Sequence, residues 1–156
     1  MDTIQKSKHI YAQLLEAMKE KQPCILATVT NSQGSTPQKP GSSAIFNKRG
    51  LIAGTVGGGA VELATGEIAS ESIRSKISGY YTFDLENDIT DLEAAICGGG
   101  MGILVDASPE KHIEVFQSLS NAETNRIPGV LATLCGSGSK ECSGFDKVLD
   151  YFRNFG

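Results

Sequence analysis

The stretch that most limits how this chain can fold is Gly54-Thr55-Val56-Gly57-Gly58-Gly59-Ala60-Val61-Glu62. Its three consecutive glycines stand between a strand-like run and a helix-like run. A second triplet, Gly98-Gly99-Gly100, directly follows Cys97 further along. Glycine has no side chain to pack and loses the most backbone freedom on ordering. A chain that keeps two such triplets needs bare backbone in two places. The expectation is that both line one site, with Cys97 as its reactive or ligating group.

The length of 156 residues gives room for one domain with a sizeable core. Charged residues make up 21% of the chain and leave a net charge of -4 with both signs interspersed. That balance argues against nucleic acid, which requires a basic face to neutralise phosphates. No apolar run approaches the roughly 20 residues of a membrane span. The stretch from Met1 to Lys8 lacks a signal-peptide core, so a cytoplasmic protein is expected. There the four cysteines, Cys24, Cys97, Cys135 and Cys142, read as free thiols. Their spacing, with only two histidines, does not fit a structural zinc site. Cys24, inside the run Cys24-Ile25-Leu26-Ala27, reads as a small buried hydrophobe.

Periodicity organises the rest. Ile4, Tyr11, Leu15 and Met18 share one face of a helix expected over 3–21, which Pro23 stops. Residues 23–30 read as a well-buried strand. It feeds a polar loop, Ser32-Gln33-Gly34-Ser35-Thr36-Pro37-Gln38-Lys39-Pro40-Gly41-Ser42, stiffened by its prolines. Residues 43–47 and 51–53 read as a hairpin closed by Lys48-Arg49-Gly50. Val61, Ala64, Ile68 and Ile73 then repeat at helical spacing over 59–77. The first triplet therefore occupies a strand-to-helix turn, where orphan N–H groups and the helix dipole favour an anion. Neither a Gly-x-Gly-x-x-Gly nor a Walker-type sequence is present.

Residues 80–83 read as another strand, and the acids between Asp84 and Glu93 as a solvated loop. Residues 101–105 read as a strand entered through Cys97 and its glycines. A thiolate is a soft nucleophile and metal ligand, and clustered backbone N–H groups would lower its pKa. Ser108-Pro109 opens a helix whose apolar face is Ile113, Phe116 and Leu119. Residues 129–135 read as a further buried strand, followed by a glycine-rich loop and a short terminal helix. The expected fold is a single α/β domain over 1–156, with a mixed β-sheet flanked by helices. Its core would cover 10–135, with a helical extension over 143–153.

Taken together, Gly34-Ser35-Thr36-Pro37, Gly41, the run from Gly54 to Glu62 and Cys97-Gly98-Gly99 resemble the XdhC/CoxI family. These are the maturation factors of xanthine dehydrogenase and carbon monoxide dehydrogenase, and the resemblance covers residues 10–135. It implies a cofactor chaperone more than a catalyst. Such a protein binds the molybdenum cofactor (molybdopterin) and holds it while a cysteine desulfurase installs its terminal sulfur. It then helps insert the cofactor into a xanthine-dehydrogenase-type molybdenum hydroxylase. Carried over by position, Cys97 would handle sulfur or contact molybdenum through the cofactor. Gly57, Gly58, Gly59, Gly98 and Gly99 would form a backbone cradle, with Ser35, Thr36 and Glu62 as further site residues. Glu62 would orient the glycine turn or meet a pterin N–H. Where many family members carry arginine this chain has Gln38, so Lys39 would meet the cofactor phosphate as a point charge. On this resemblance the chain is expected to lack the C-terminal Rossmann-type domain that many members carry. A homodimer is compatible with the resemblance.

Two other readings of the same residues stand beside it. A cysteine-dependent enzyme could use Cys97 on an anionic small molecule, but neither His9 nor His112 sits in a recognisable base motif. A regulatory or interaction module would have the fold without cofactor binding.

Overall fold

The computed structural model describes residues 9–85, 99–136, 144–145 and 147–154. Helix α1 spans Ile10–Lys19. Strand β1 follows at Cys24–Gly34, then the hairpin strands β2 (Ser43–Asn47) and β3 (Gly50–Gly54). Helix α2 covers Gly59–Ser75, β4 Ser78–Asp84 and β5 Gly99–Asp106. A 3-10 turn at Pro109–His112 leads into α3, Ile113–Asn125, with proline at the turn's start as expected. The chain continues through β6 (Gly129–Gly136), β7 (Gly144–Phe145) and β8 (Lys147–Asn154).

The main sheet runs β3-β2-β1-β5-β4-β7, and β6 and β8 form a separate ribbon. The two-period of β1 sorts its side chains onto both faces. On one face Ile25, Ala27 and Val29 join Phe46 of β2 and Ile103 and Val105 of β5, under Val61, Ala69 and Ile73 of α2. On the other face Cys24, Leu26 and Ile45 meet Leu14 of α1 and Phe116 of α3. Burial of each large apolar side chain contributes about 1.5–3 kcal/mol, so these two layers hold the sheet between its helices. The α/β class with helices packed on a sheet is as the sequence led one to expect.

Four details differ from the sequence reading. Every pairing within the main sheet is antiparallel, not of mixed direction. Parallel neighbours need a long crossover, and the one that α2 supplies joins β3 to β4, which are not neighbours. Second, β1 continues to Gly34, so Ser32 and Gln33 are strand and the loop begins at Ser35. Pairing with β5 carries it there, through a bulge between Val29 and Asn31. Third, the segment expected as a terminal helix is strand β8, paired with β6 from Gly129↔Asn154 to Gly136↔Lys147. A short apolar run such as Val148-Leu149-Asp150-Tyr151-Phe152 does not distinguish helix from strand by period, and the available partner strand decides. Fourth, β6 is not buried: Val130 is 54% and Leu134 67% exposed.

Phe116 is fully buried and its ring stacks on Tyr11 at 5.9 Å between centroids. Phe116→Ala is expected to lower unfolding free energy by about 3–5 kcal/mol in denaturant titration. Leu134→Ala, on the exposed ribbon, should stay within about 0.5 kcal/mol of the parent. Equal losses in the two variants would contradict this account of the core.

Candidate functional site

Between β3 and α2 the backbone turns through four glycines with positive φ: Gly54 at 77°, Gly57 at 138°, Gly58 at 71° and Gly59 at 51°. These glycines are not equivalent. A Cβ at Gly54 would strike the Ser43 carbonyl oxygen, and one at Gly57 would stand 2.8 Å from the Pro37 ring. Both positions are bare because another segment fills the space. At Gly58 a Cβ would meet only Glu62 Oε2, at 3.5 Å. There the backbone conformation demands glycine and the space in front stays open.

A hydroxyl and a carboxylate fix the turn. Thr55 Oγ1 donates to Glu62 Oε2 at 3.2 Å and accepts the Gly57 N–H at 3.1 Å. The Thr55 N–H donates to the Ser43 carbonyl, tying the turn to β2. Glu62 therefore orients the glycine turn through Thr55, which is one of the two roles expected of it. The same arrangement narrows the expected anion cradle. The Gly57 N–H is already used, leaving those of Gly58 and Gly59 in the triplet. The Glu62 carboxylate lies in the first turn of α2, where a negative charge complements the helix dipole and competes with an incoming anion.

The polar loop after β1 brings Gly99 into this neighbourhood. Gly34 pairs with Gly99. A Cβ at Gly99 would collide with the Gln33 carbonyl and stand 3.0 Å from the Ser35 carbonyl and 3.3 Å from Thr36 Cγ2. Ser35-Thr36-Pro37 thus bridges the two glycine segments, touching Gly99 at one end and Gly57 at the other. Ser35 is exposed and Thr36 half-buried. The Thr36 hydroxyl donates to the Gln38 carbonyl, and Ser42 Oγ donates to Gln38 Oε1 at 2.9 Å. Gln38, standing where the resemblance led one to look for arginine, is thus a brace of its own loop. The Gly41 N–H closes the loop onto the Val29 carbonyl at 2.7 Å. Lys39 is exposed on its outer side. Cys97 and Gly98 lie outside the described residues.

Sequence reasoning missed Thr55 and the Pro37 contact. A hydroxyl two residues before a glycine turn and a carboxylate seven residues beyond it were the available signal for Thr55. No sequence signal points to the packing of Pro37 on Gly57. Cys24 is buried as expected, and its thiol is pushed up to about 11, chiefly by burial and then by the nearby Glu110 carboxylate. Among the described residues no cluster of metal-ligating side chains occurs.

Thr55→Val removes both hydrogen bonds and should cost about 1–3 kcal/mol in unfolding free energy. It should also speed hydrogen exchange at the Gly57 amide, and unchanged exchange there would contradict the Thr55 role. Cys24 yields a second expectation in a variant whose other three cysteines are serine. Raising the pKa from 9.0 to about 11 cuts the thiolate fraction about a hundredfold, so alkylation at pH 8 should be slower by that order than for an unfolded control. Because the folded value is the higher one, the associated stability is present below pH 9 and fades between about 9 and 11.

Comparison with known proteins gives a family match and a fold match. Residues 17–84, which hold β1, the loop, the hairpin, the glycine turn and α2, match the XdhC and CoxI family. No curated protein matches the chain by sequence. A crystal structure of a xanthine dehydrogenase from Bacillus halodurans is similar in fold, with a TM-score of 0.68 at 19% identity. The similarity covers 90% of this chain and 42% of that one, so the chain spans less than half the length of that protein. Over residues 17–84, then, the chain is similar to the XdhC and CoxI family.

Proposed function

We propose that this protein is an accessory factor that holds the molybdenum cofactor for a xanthine-dehydrogenase-type molybdenum hydroxylase. The observation that carries the reading is the contact of Ser35-Thr36-Pro37 with both Gly57 and Gly99. It sets the loop after β1 beside the glycine turn and beside Gly99, the first residue of β5. The XdhC and CoxI match and the fold shared with a xanthine dehydrogenase support the same reading.

The residues present suit such a group. The space before Gly58 lets a ligand reach backbone that any side chain would cover. The N–H groups of Gly58 and Gly59 would donate to the ligand's acceptors, and Ser35 and Thr36 would line the loop side. Glu62, already fixed by Thr55, would accept from a pterin N–H. Lys39 would add positive charge from the exposed loop. Cys97, with Gly98 beside it, would be the thiol that contacts molybdenum or handles sulfur. The bound group supplies the redox metal and sulfur that the client enzyme uses. This chain's part is to bind it, orient its ring edge and shield it from water. Sulfur from a cysteine desulfurase, transfer in the cytoplasm and a homodimeric state belong to the same proposal. Among the described residues no helix is long and apolar enough to cross a membrane.

The purified chain mixed with molybdenum cofactor should retain it through gel filtration, measured as molybdenum and released pterin per protein. Cys97→Ala should weaken retention. Equal retention by that variant would remove the thiol from the mechanism. No retention by the parent would overturn the reading and favour an interaction module.

A further inference from the structure

On one side the main sheet ends in β3, whose outer edge no strand covers among the described residues. An edge strand leaves a row of backbone N–H and C=O groups unpaired, which is a template for another chain. Natural edges are guarded by charges, prolines, bulges or a covering segment. The edge Gly50-Leu51-Ile52-Ala53-Gly54 carries neither charge nor proline. Its guard is a bulge at Ile52, which has no register partner on β2. Leu51 and Ile52 are 48% and 41% exposed. Beside them Leu63 of α2 is 70% exposed, and the two leucines line a groove of about 550 Å³ between hairpin and helix. Contiguous exposed apolar surface rimmed by polar residues marks an interaction site.

Charge says what the partner is. Lys48 and Arg49 lie just before β3, and Thr55 with its bonded Glu62 lies just beyond it. Glu67 follows on the same side of α2. All four charged residues line the groove, yet among the described residues no ion pair joins either base to either acid. The edge therefore has a basic end and an acidic end. Two such edges set antiparallel are self-complementary, as a two-fold interface requires. Pairing centred on Ile52 sets Leu51 opposite Ala53, Gly50 opposite Gly54 and Arg49 opposite Thr55 of the other copy. We infer that two copies of this chain join their sheets through β3, each lending Arg49 to the other's glycine turn. There the partner's Arg49 meets the Glu62 carboxylate, and a guanidinium suits a carboxylate through its bidentate fork. Glu16 and Glu20 of α1 flank Ile52 on the opposite face. A two-fold axis turns those acids towards their own equivalents, so the helices that pack across it are the two copies of α2, through Leu63.

This inference rests on the homodimeric state within the proposed function and not on the identity of the ligand. It adds the surface, the strand register and a residue that each copy contributes to the other's site. A carboxylate can accept about four hydrogen bonds, and Thr55 supplies one. Glu62 can therefore hold the partner's Arg49 and still accept from a ligand. The acid at the start of α2 is then neutralised by the second copy.

Analytical ultracentrifugation of the full chain should give twice the mass of one chain. Ile52→Lys places a charge on the edge and should leave a monomer at concentrations where the parent is a dimer. Arg49→Glu should raise the dimer dissociation constant about tenfold or more, because it sets like charges together twice in each dimer. Both residues are exposed, so circular dichroism and thermal midpoint of the monomeric variants should still report a folded chain. Carbodiimide coupling of an equal mixture of unlabelled and heavy-nitrogen chains supplies a readout without substitution. It should join Lys48 of one copy to Glu62 of the other. A monomeric parent, a dimer unmoved by both substitutions, or Lys48–Glu62 coupling only within one copy each overturns the assignment. Cofactor retention separates the two proposals. If the parent is a monomer that retains molybdenum cofactor, the β3 interface fails and the cofactor reading stands. If it is a dimer dependent on Ile52 and Arg49 that retains none, the cofactor reading fails and the interface stands.

Discussion

Strand β1 is hydrogen-bonded along both edges and covered on both faces, and the rest of the molecule is placed by that fact. Its pairing with β2 sets the hairpin, and its pairing with β5 sets the position of Gly99. Ile25, Ala27 and Val29 anchor α2, while Cys24 and Leu26 anchor α1 and α3. Because β1 runs on to Gly34, the polar loop starts beside Gly99 and reaches the glycine turn within three residues. The site neighbourhood is thus the continuation of a strand buried over its first half. A loop projecting from such a scaffold can hold its backbone in place without a large core of its own.

The glycines of the turn divide into two kinds, and that division gives the site its chemistry. Gly54 and Gly57 are bare so that other protein atoms can approach. Gly58 is bare through its conformation and leaves space in front of it. Glu62 changes the expected character of the helix start. A turn that looked built for an anion has its own carboxylate, braced by Thr55, and is better suited to a ligand presenting a donor edge.

Much of this was legible in the sequence. The apolar β-rich run of β1, the hairpin around Lys48-Arg49-Gly50, the helical spacing from Val61 to Ile73 and the Ser108-Pro109 start each point to the element that forms. Local pattern failed where distant partners decide. Ser32 and Gln33 look like loop residues because they are polar, yet β5 lies opposite them and makes them strand. Val148 to Phe152 suits a helix as well as a strand until β6 is beside it. The directions in the sheet could not be read at all, since they depend on where α2 crosses. In the site, the residue types of the motif were visible. The Thr55 bridge and the seating of Pro37 on Gly57 are tertiary contacts that spacing does not encode.

The central claim is that the loop after β1, the glycine turn and the start of β5 act together on one ligand. Amide chemical shifts of the full chain, recorded while molybdenum cofactor is added, test it most directly. The account predicts that Ser35, Thr36, Gly58, Gly59 and Gly99 shift together with one common affinity, while the β6–β8 ribbon is unaffected. Shifts confined to a single one of these segments, or centred on the ribbon, would contradict it.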